Sequence, residues 1–257
     1  MSSKVTAKLR LGVAFSVLLI SLTLLAGCKQ EADNNYTPPG YGASVGPLTD
    51  TVWKNESGTI RFGAEGKVVD VPKDWNFLSV SIPISDNRYQ SVQAEFNDFT
   101  YSGTDIYGKV TKVGKDWLDY LEVGARVKVA TFKVPTESSP EGQGTPVTDY
   151  YKMNVTIEGE YTSSTFTMEN KPTSEDAFVG TYYDEQGRKK IQINKDGTFV
   201  RFIDGEQSIQ YWKDKNDGTI YVKSTQFDNS PNEFSGGSTY YLYPHALMSG
   251  GSAVAWK

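Results

Sequence analysis

The chain has 257 residues, with 26 Lys and Arg, 31 Asp and Glu, one His and one Cys, and a net charge of −5 at pH 7. One Cys excludes an internal disulfide, and one Cys with one His excludes a thiolate or imidazole zinc cage and any paired-histidine metalloprotease helix. The acidic balance lacks the basic footprint of a nucleic-acid binder, and 16 Tyr are too many aromatics for a disordered chain.

The first element is a targeting sequence. Lys4, Lys8 and Arg10 precede an apolar run at 11–25, and the small residues Ala26 and Gly27 lead to Cys28. A run of about 15 apolar residues suits a signal-peptide core, whereas a membrane span needs roughly 20. Leu25-Ala26-Gly27-Cys28 resembles the lipobox of bacterial lipoproteins. The resemblance implies cleavage between Gly27 and Cys28, a diacylglycerol on the Cys28 thiol, and a fatty acyl group such as palmitate on the freed amine. Cleavage removes residues 1–27, with three basic residues and no acid, leaving 230 residues of net charge −8. Such a surface is repelled by an anionic bilayer, so the membrane partner is reached through the lipid. Lys29 is not the Asp that retains some lipoproteins at the inner membrane, which favours the outer membrane.

Residues 28–47 are polar and rich in Gly, Pro and Asn, which breaks helix and strand alike. They read as a flexible tether holding the body on the order of tens of ångströms from the bilayer.

From there the chain reads as strand after strand. Period-two alternation appears at 59–62, 91–96, 126–134, 153–157, 190–193, 198–202, 219–222 and 238–243, rich in β-branched and aromatic residues. Asp196-Gly197, Asp204-Gly205, Asp217-Gly218 and Gly236-Gly237 punctuate the runs as hairpin turns. Residues 75–89 are the least regular, and Pro83 makes them an edge strand or loop. Only 115–121 offers a helical turn, and Pro and Gly mark 135–146 as an exposed loop. The fold class is all-β: an antiparallel meander closed into a barrel or sandwich, as one or two tandem units. The first unit spans 48–170; the second, 176–257, has room for five or six strands and is a smaller domain or a sheet extension.

The two units open alike. Trp53 and Tyr182 each precede a polar turn with Gly, an Ile-x-(Phe/Ile) strand and a closing Gly. Asp50-Thr-Val-Trp53 and Phe178-Val-Gly-Thr-Tyr-Tyr183 resemble the start of lipocalin-like lipoproteins of bacterial envelopes. That resemblance implies an up-and-down barrel with ligand binding.

Candidate chemistry is sparse. His245 reads as a locally hydrogen-bonded turn residue with no second His to share a metal. Glu158 and Glu160 would share a face of a strand, as paired glycosidase carboxylates could, but they read better as a solvated strand end. Asp116 with Asp119 and Asp184 with Glu185 are further acid pairs. Residues 194–197 and 214–218 hint at Ca²⁺ loops without the alternating spacing. Adjacent aromatics (Tyr150-Tyr151, Tyr182-Tyr183, Tyr211-Trp212, Tyr240-Tyr241) should put one ring inward and one outward on a strand. No catalytic residue, metal or cofactor is expected. Beyond the lipidation site Cys28, the expectation is a lipid-anchored, non-enzymatic envelope lipoprotein that binds a small molecule, or an envelope or host protein. The alternatives are a lipid-anchored carbohydrate-active hydrolase and a structural or inhibitory surface protein.

Overall fold

In the computed structural model the described residues are 46–64, 66–134, 149–160 and 162–257. The signal peptide, Gly27, Cys28, nearly all of the tether and the loop at 135–146 lie outside them. Seventeen strands and three short 3₁₀ turns make up the regular structure of the described residues. The body is all-β and antiparallel throughout, as the alternation predicts.

Nine strands form the first sheet: β1 (Val52–Asn55), β2 (Gly58–Phe62), β3 (Val68–Asp70), β4 (Phe77–Ser85), β5 (Arg88–Ser102), β6 (Asp105–Val113), β7 (Arg126–Lys133), β8 (Lys152–Ile157) and β9 (Ser163–Met168). Their order, β3-β2-β1-β9-β8-β7-β6-β5-β4, is a meander interrupted only between β3 and β4. The sheet curls until its ends approach: Lys67 bridges Thr100, and the Tyr101 N–H donates to the Gly66 carbonyl at 2.6 Å. Pro83 sits in β4, an edge strand where its missing N–H interrupts no ladder. The concave face holds Trp53, Ile60, Phe62, Phe96, Phe132 and Phe166, all buried. Phe62 packs edge-on to Tyr101 at 5.0 Å and tilted against Phe132 at 5.2 Å. Gly108 lies within β6 because a Cβ there would press into the Phe96 and Phe99 rings.

The second unit is a closed barrel of eight strands in sequence order: β10 (Gly180–Tyr183), β11 (Lys189–Ile193), β12 (Thr198–Ile203), β13 (Glu206–Asp214), β14 (Thr219–Lys223), β15 (Ser238–Tyr243), β16 (Ala246–Ser249) and β17 (Ser252–Trp256). The expected five or six strands become eight because most are only four to six residues long and most of the turns are tight. At one such turn Asp204 and Gly205 both take positive φ (51° and 85°), the type I′ geometry that matches strand twist. Closure rests on the pair Tyr183–Trp256, reinforced by the Lys257 ammonium donating to the Ala177 carbonyl at 2.6 Å. Closure removes the exposed edges that a flat meander of this length would present.

The two units share a core. β14, β15 and β16 are buried on both faces, since the outer wall of the barrel is covered by the first unit. Tyr241, Tyr243, Ala246 and Met248 belong to the apolar cluster of the first sheet, whereas Tyr240, Leu242 and Leu247 belong to that of the barrel. Tyr241 stacks on Tyr150 with centroids 4.4 Å apart, and Trp53 meets Tyr243 edge-on at 6.0 Å. The Tyr151 hydroxyl donates to the Gly218 carbonyl at 2.5 Å and accepts from the Leu242 N–H at 3.4 Å. The one-in, one-out expectation holds for Tyr182-Tyr183 and Tyr211-Trp212 in burial and for Tyr240-Tyr241 in direction, and is corrected at one pair. Tyr150 and Tyr151 precede β8 in a turn and are both buried, whereas Tyr240 faces the barrel core and Tyr241 the core of the first sheet.

Candidate functional site

The barrel interior is filled for most of its length by Phe178, Tyr182, Phe199, Trp212, Ile220 and their neighbours. The inward-facing positions change character toward one end. On β12, Phe199 is followed on the same face by Arg201; on β13, antiparallel to it, Trp212 is preceded by Gln210. Along β14, Ile220 and Val222 lead to Ser224, and along β15, Leu242 and Tyr240 lead back to Ser238. The registers Phe199–Gln210, Trp212–Val222 and Val222–Ser238 bring these changes to one mouth.

That mouth holds a cavity of about 250 Å³ lined by Arg201, Gln210, Val222, Lys223, Ser224, Gly236, Gly237, Ser238 and Tyr240. No acid, His or Cys is among the lining residues. Arg201 has no carboxylate partner among the described residues, in contrast with Arg126 and Arg188, which are paired to Asp98 and Asp184 at 2.6 and 2.7 Å. The Gln210 Oε1 atom is buried without a hydrogen-bond partner in the protein. Burial pushes the Tyr240 hydroxyl above the ordinary phenol range, and the Arg201 charge partly offsets the rise.

One wall of the mouth is the connection between β14 and β15. Its residues 224–237 fold against the barrel: Lys213 bonds Glu233 at 2.7 Å and Asn229 at 3.0 Å, and the Lys223 ammonium donates to the Glu233 carbonyl at 2.9 Å. Lys223 also lies 4.5 Å from the Phe227 ring centroid, so its charge is already engaged. Gly237 closes the loop with its N–H on the Tyr221 hydroxyl at 2.6 Å. A side chain at Gly237 would collide with the Val222 carbonyl and the Tyr221 ring, which is why this wall is glycine.

The acid pairs read from the sequence are not assembled into a cleft. β8 ends at Ile157, so Glu158 and Glu160 lie in the turn after it, not along one strand face; Glu158 pairs with Lys128 at 3.3 Å. Asp116 lies in the 3₁₀ turn Lys115–Trp117, and Asp119 in the turn after it. Asp184 accepts from the Gln186 and Arg188 amides and the Arg188 side chain. Partial burial raises its carboxyl, but these bonds outweigh it and leave it below the usual carboxylate range. Asp196 and Asp217 each accept the N–H and hydroxyl of the Thr two residues on, as turn carboxylates do. Among the described residues no group of three or more His, Cys, Asp or Glu is placed to hold a metal ion.

His245 is not locally bonded through its ring. It sits in the turn between β15 and β16, and its Nε2 lies 2.8 Å from Asp50 Oδ2, on the segment entering β1. The pair clasps the barrel to the first unit. Both side chains are substantially exposed, so the His245→Ala variant should lose less than about 1 kcal/mol of unfolding free energy in urea. A larger loss would mark the clasp as a main tie between the units.

The chain matches no protein-family model, no curated protein and no solved structure. The inward polar positions Arg201 and Gln210 were not singled out by sequence reasoning. The signal was there, as polar residues in phase with Phe199 and Trp212 on adjoining strands, but it needs the register to be seen.

Proposed function

We propose that the chain is a lipid-anchored lipoprotein of a bacterial cell envelope, more specifically of the outer membrane, and that it binds a small ligand without catalysing a reaction. Cys28 carries the lipid, residues 28–47 serve as the tether, and the barrel mouth is the ligand site. The observation that carries the binding reading is the polar end of an otherwise apolar barrel interior, with a cavity bounded by an unpaired guanidinium and a buried amide oxygen lacking a donor. Ligand pockets are of this kind: concave, with a few convergent polar groups on an ordered scaffold. Glu158 is held by Lys128 and Asp184 by Arg188, and no acid lines the cavity, which favours binding over the hydrolase alternative. The filled interior limits the ligand to the mouth, away from a deep calyx.

Two measurements test this. In a bacterial host grown with labelled palmitate, the wild type should take label and partition with membranes, while Cys28→Ser should take none and accumulate as unprocessed precursor. Each buried CH₂ contributes about 0.8 kcal/mol, so losing two or three chains abolishes lipid anchoring. Unchanged labelling and processing of Cys28→Ser would remove the lipoprotein reading. For the binding reading, a panel of small charged and neutral solutes should contain at least one that shifts the backbone amide resonances of Gly236 and Gly237. A panel that leaves both amides unmoved would count against the barrel mouth.

A further inference from the structure

We infer that the ligand of the barrel mouth is a small hydroxylated carboxylate, of which sugar acids are the fitting class, with its carboxylate clamped by Arg201. This rests on the reading of the mouth as a ligand site. Arg201 is partly buried on the inward face of β12, and neither a carboxylate of the protein nor an acid in the lining neutralises it. A guanidinium presents a planar fork that matches a carboxylate at two points, and such charge-assisted bonds strengthen where water is partly excluded.

Two cations line the cavity, and of these Arg201 is the one whose donors no protein group occupies among the described residues. The Lys223 ammonium is held by the Glu233 carbonyl and the Phe227 ring.

Gln210 specifies the rest. Its buried terminal atom needs a partner, and amide oxygen and nitrogen exchange places when the side chain is flipped. A hydroxyl both donates and accepts, so it satisfies Gln210 in either orientation. The hydroxyls of Ser224, Ser238 and Tyr240 add further partners of the same kind around the lining. The volume of about 250 Å³ suits a single sugar-sized molecule.

The test uses the full-length protein in detergent, titrated calorimetrically with D-glucuronate and with neutral D-glucose, while the Gly236 and Gly237 amides are followed by NMR. Glucuronate should bind at least about tenfold more tightly than glucose, and Arg201→Gln should reduce its affinity by about tenfold or more. Arg201→Lys, which keeps the charge but loses the fork, should fall between. Gln210→Leu should weaken glucuronate binding while raising Tm, because it removes the orphaned atom from the ligand-free protein. That opposite movement separates a ligand-reading residue from a merely structural one. Equal affinity for the two sugars, or glucuronate affinity unchanged in Arg201→Gln, overturns the carboxylate assignment. In that case glycine amide shifts by any panel member leave the barrel-mouth reading standing. Amides unmoved by every solute overturn both.

Discussion

Raising the pH from 10 to 12 is expected to remove several kcal/mol of stability and to unfold the protein cooperatively. Burial holds the hydroxyls of Tyr151, Tyr182 and Tyr243 well above the ordinary phenol value, with nearby Asp217 and Asp149 adding to the rise at Tyr151 and neighbouring tyrosines at Tyr243. The sign follows from proton counting. Below about pH 10 both folded and unfolded chains keep these protons, and the three groups contribute no pH dependence. Above it the unfolded chain releases them while the folded chain cannot, so each costs about 1.4 kcal/mol per pH unit and the three together about 4. Two units then consume much of the roughly 5–15 kcal/mol that holds a domain together. Tyrosinate absorbance and strand circular dichroism should change together, with a late set of tyrosines ionising only as the fold is lost. Tyr182→Phe should flatten the dependence by about a third. Smooth ionisation of all 16 tyrosines near pH 10 with the strand signal intact would contradict the burial of these hydroxyls.

The same residues show why the fold was more legible than its interior. Alternation and the Asp-Gly turns mark β2, the middle of β5, β7, β8, β11, β12, β14 and β15, because those stretches have one clear face. β6 escapes because Gly108 interrupts the apolar face that Ile106 and Val110 share, where the missing side chain admits two phenyl rings. β9 escapes because Ser and Thr fill its outer face, where their hydroxyls bond across to β8 (Ser163 to Thr156 at 2.6 Å, Thr165 to Asn154 at 2.9 Å). The similar openings around Trp53 and Tyr182 are the first hairpins of the two sheets, and in each the leading aromatic is fully buried. Each ring is also tied by its polar tip, the Trp53 indole N–H to Thr51 at 2.9 Å and the Tyr182 hydroxyl to the Phe178 carbonyl at 2.6 Å.

The candidate site depends on information that local pattern does not carry. Arg201 and Gln210 occupy ordinary alternating positions, and only the strand register turns them into neighbours at one mouth. The His245–Asp50 contact spans 195 positions in the chain, beyond the reach of any periodicity. An isolated His count therefore underestimates what His245 touches.

Replacing Tyr241 with alanine is expected to cost about 3–5 kcal/mol, the range for large aromatic truncations in a core that cannot collapse. Its ring is fully buried and touches both units: it stacks on Tyr150, lies edge-on to Tyr151 at 6.3 Å and meets Tyr243 at 5.5 Å, all from a barrel strand. Because β15 is buried on both faces, the void falls between the units and leaves the barrel interior filled, so neighbouring Tyr240 and Leu242 keep their packing. The wild type should therefore unfold in guanidinium as one transition, whereas Tyr241→Ala should lower the midpoint and separate loss of the first sheet from loss of the barrel. A double-mutant cycle with Tyr150→Ala should show a coupling of about 0.5–1.5 kcal/mol, as offset aromatic pairs do. If Tyr241→Ala costs under about 1 kcal/mol and one transition persists, the shared aromatic core is not what joins the units. The contacts at Gly218 and Asp50 would then have to carry that role, and the two exposed partners of the His245 clasp are too weakly coupled to do so alone.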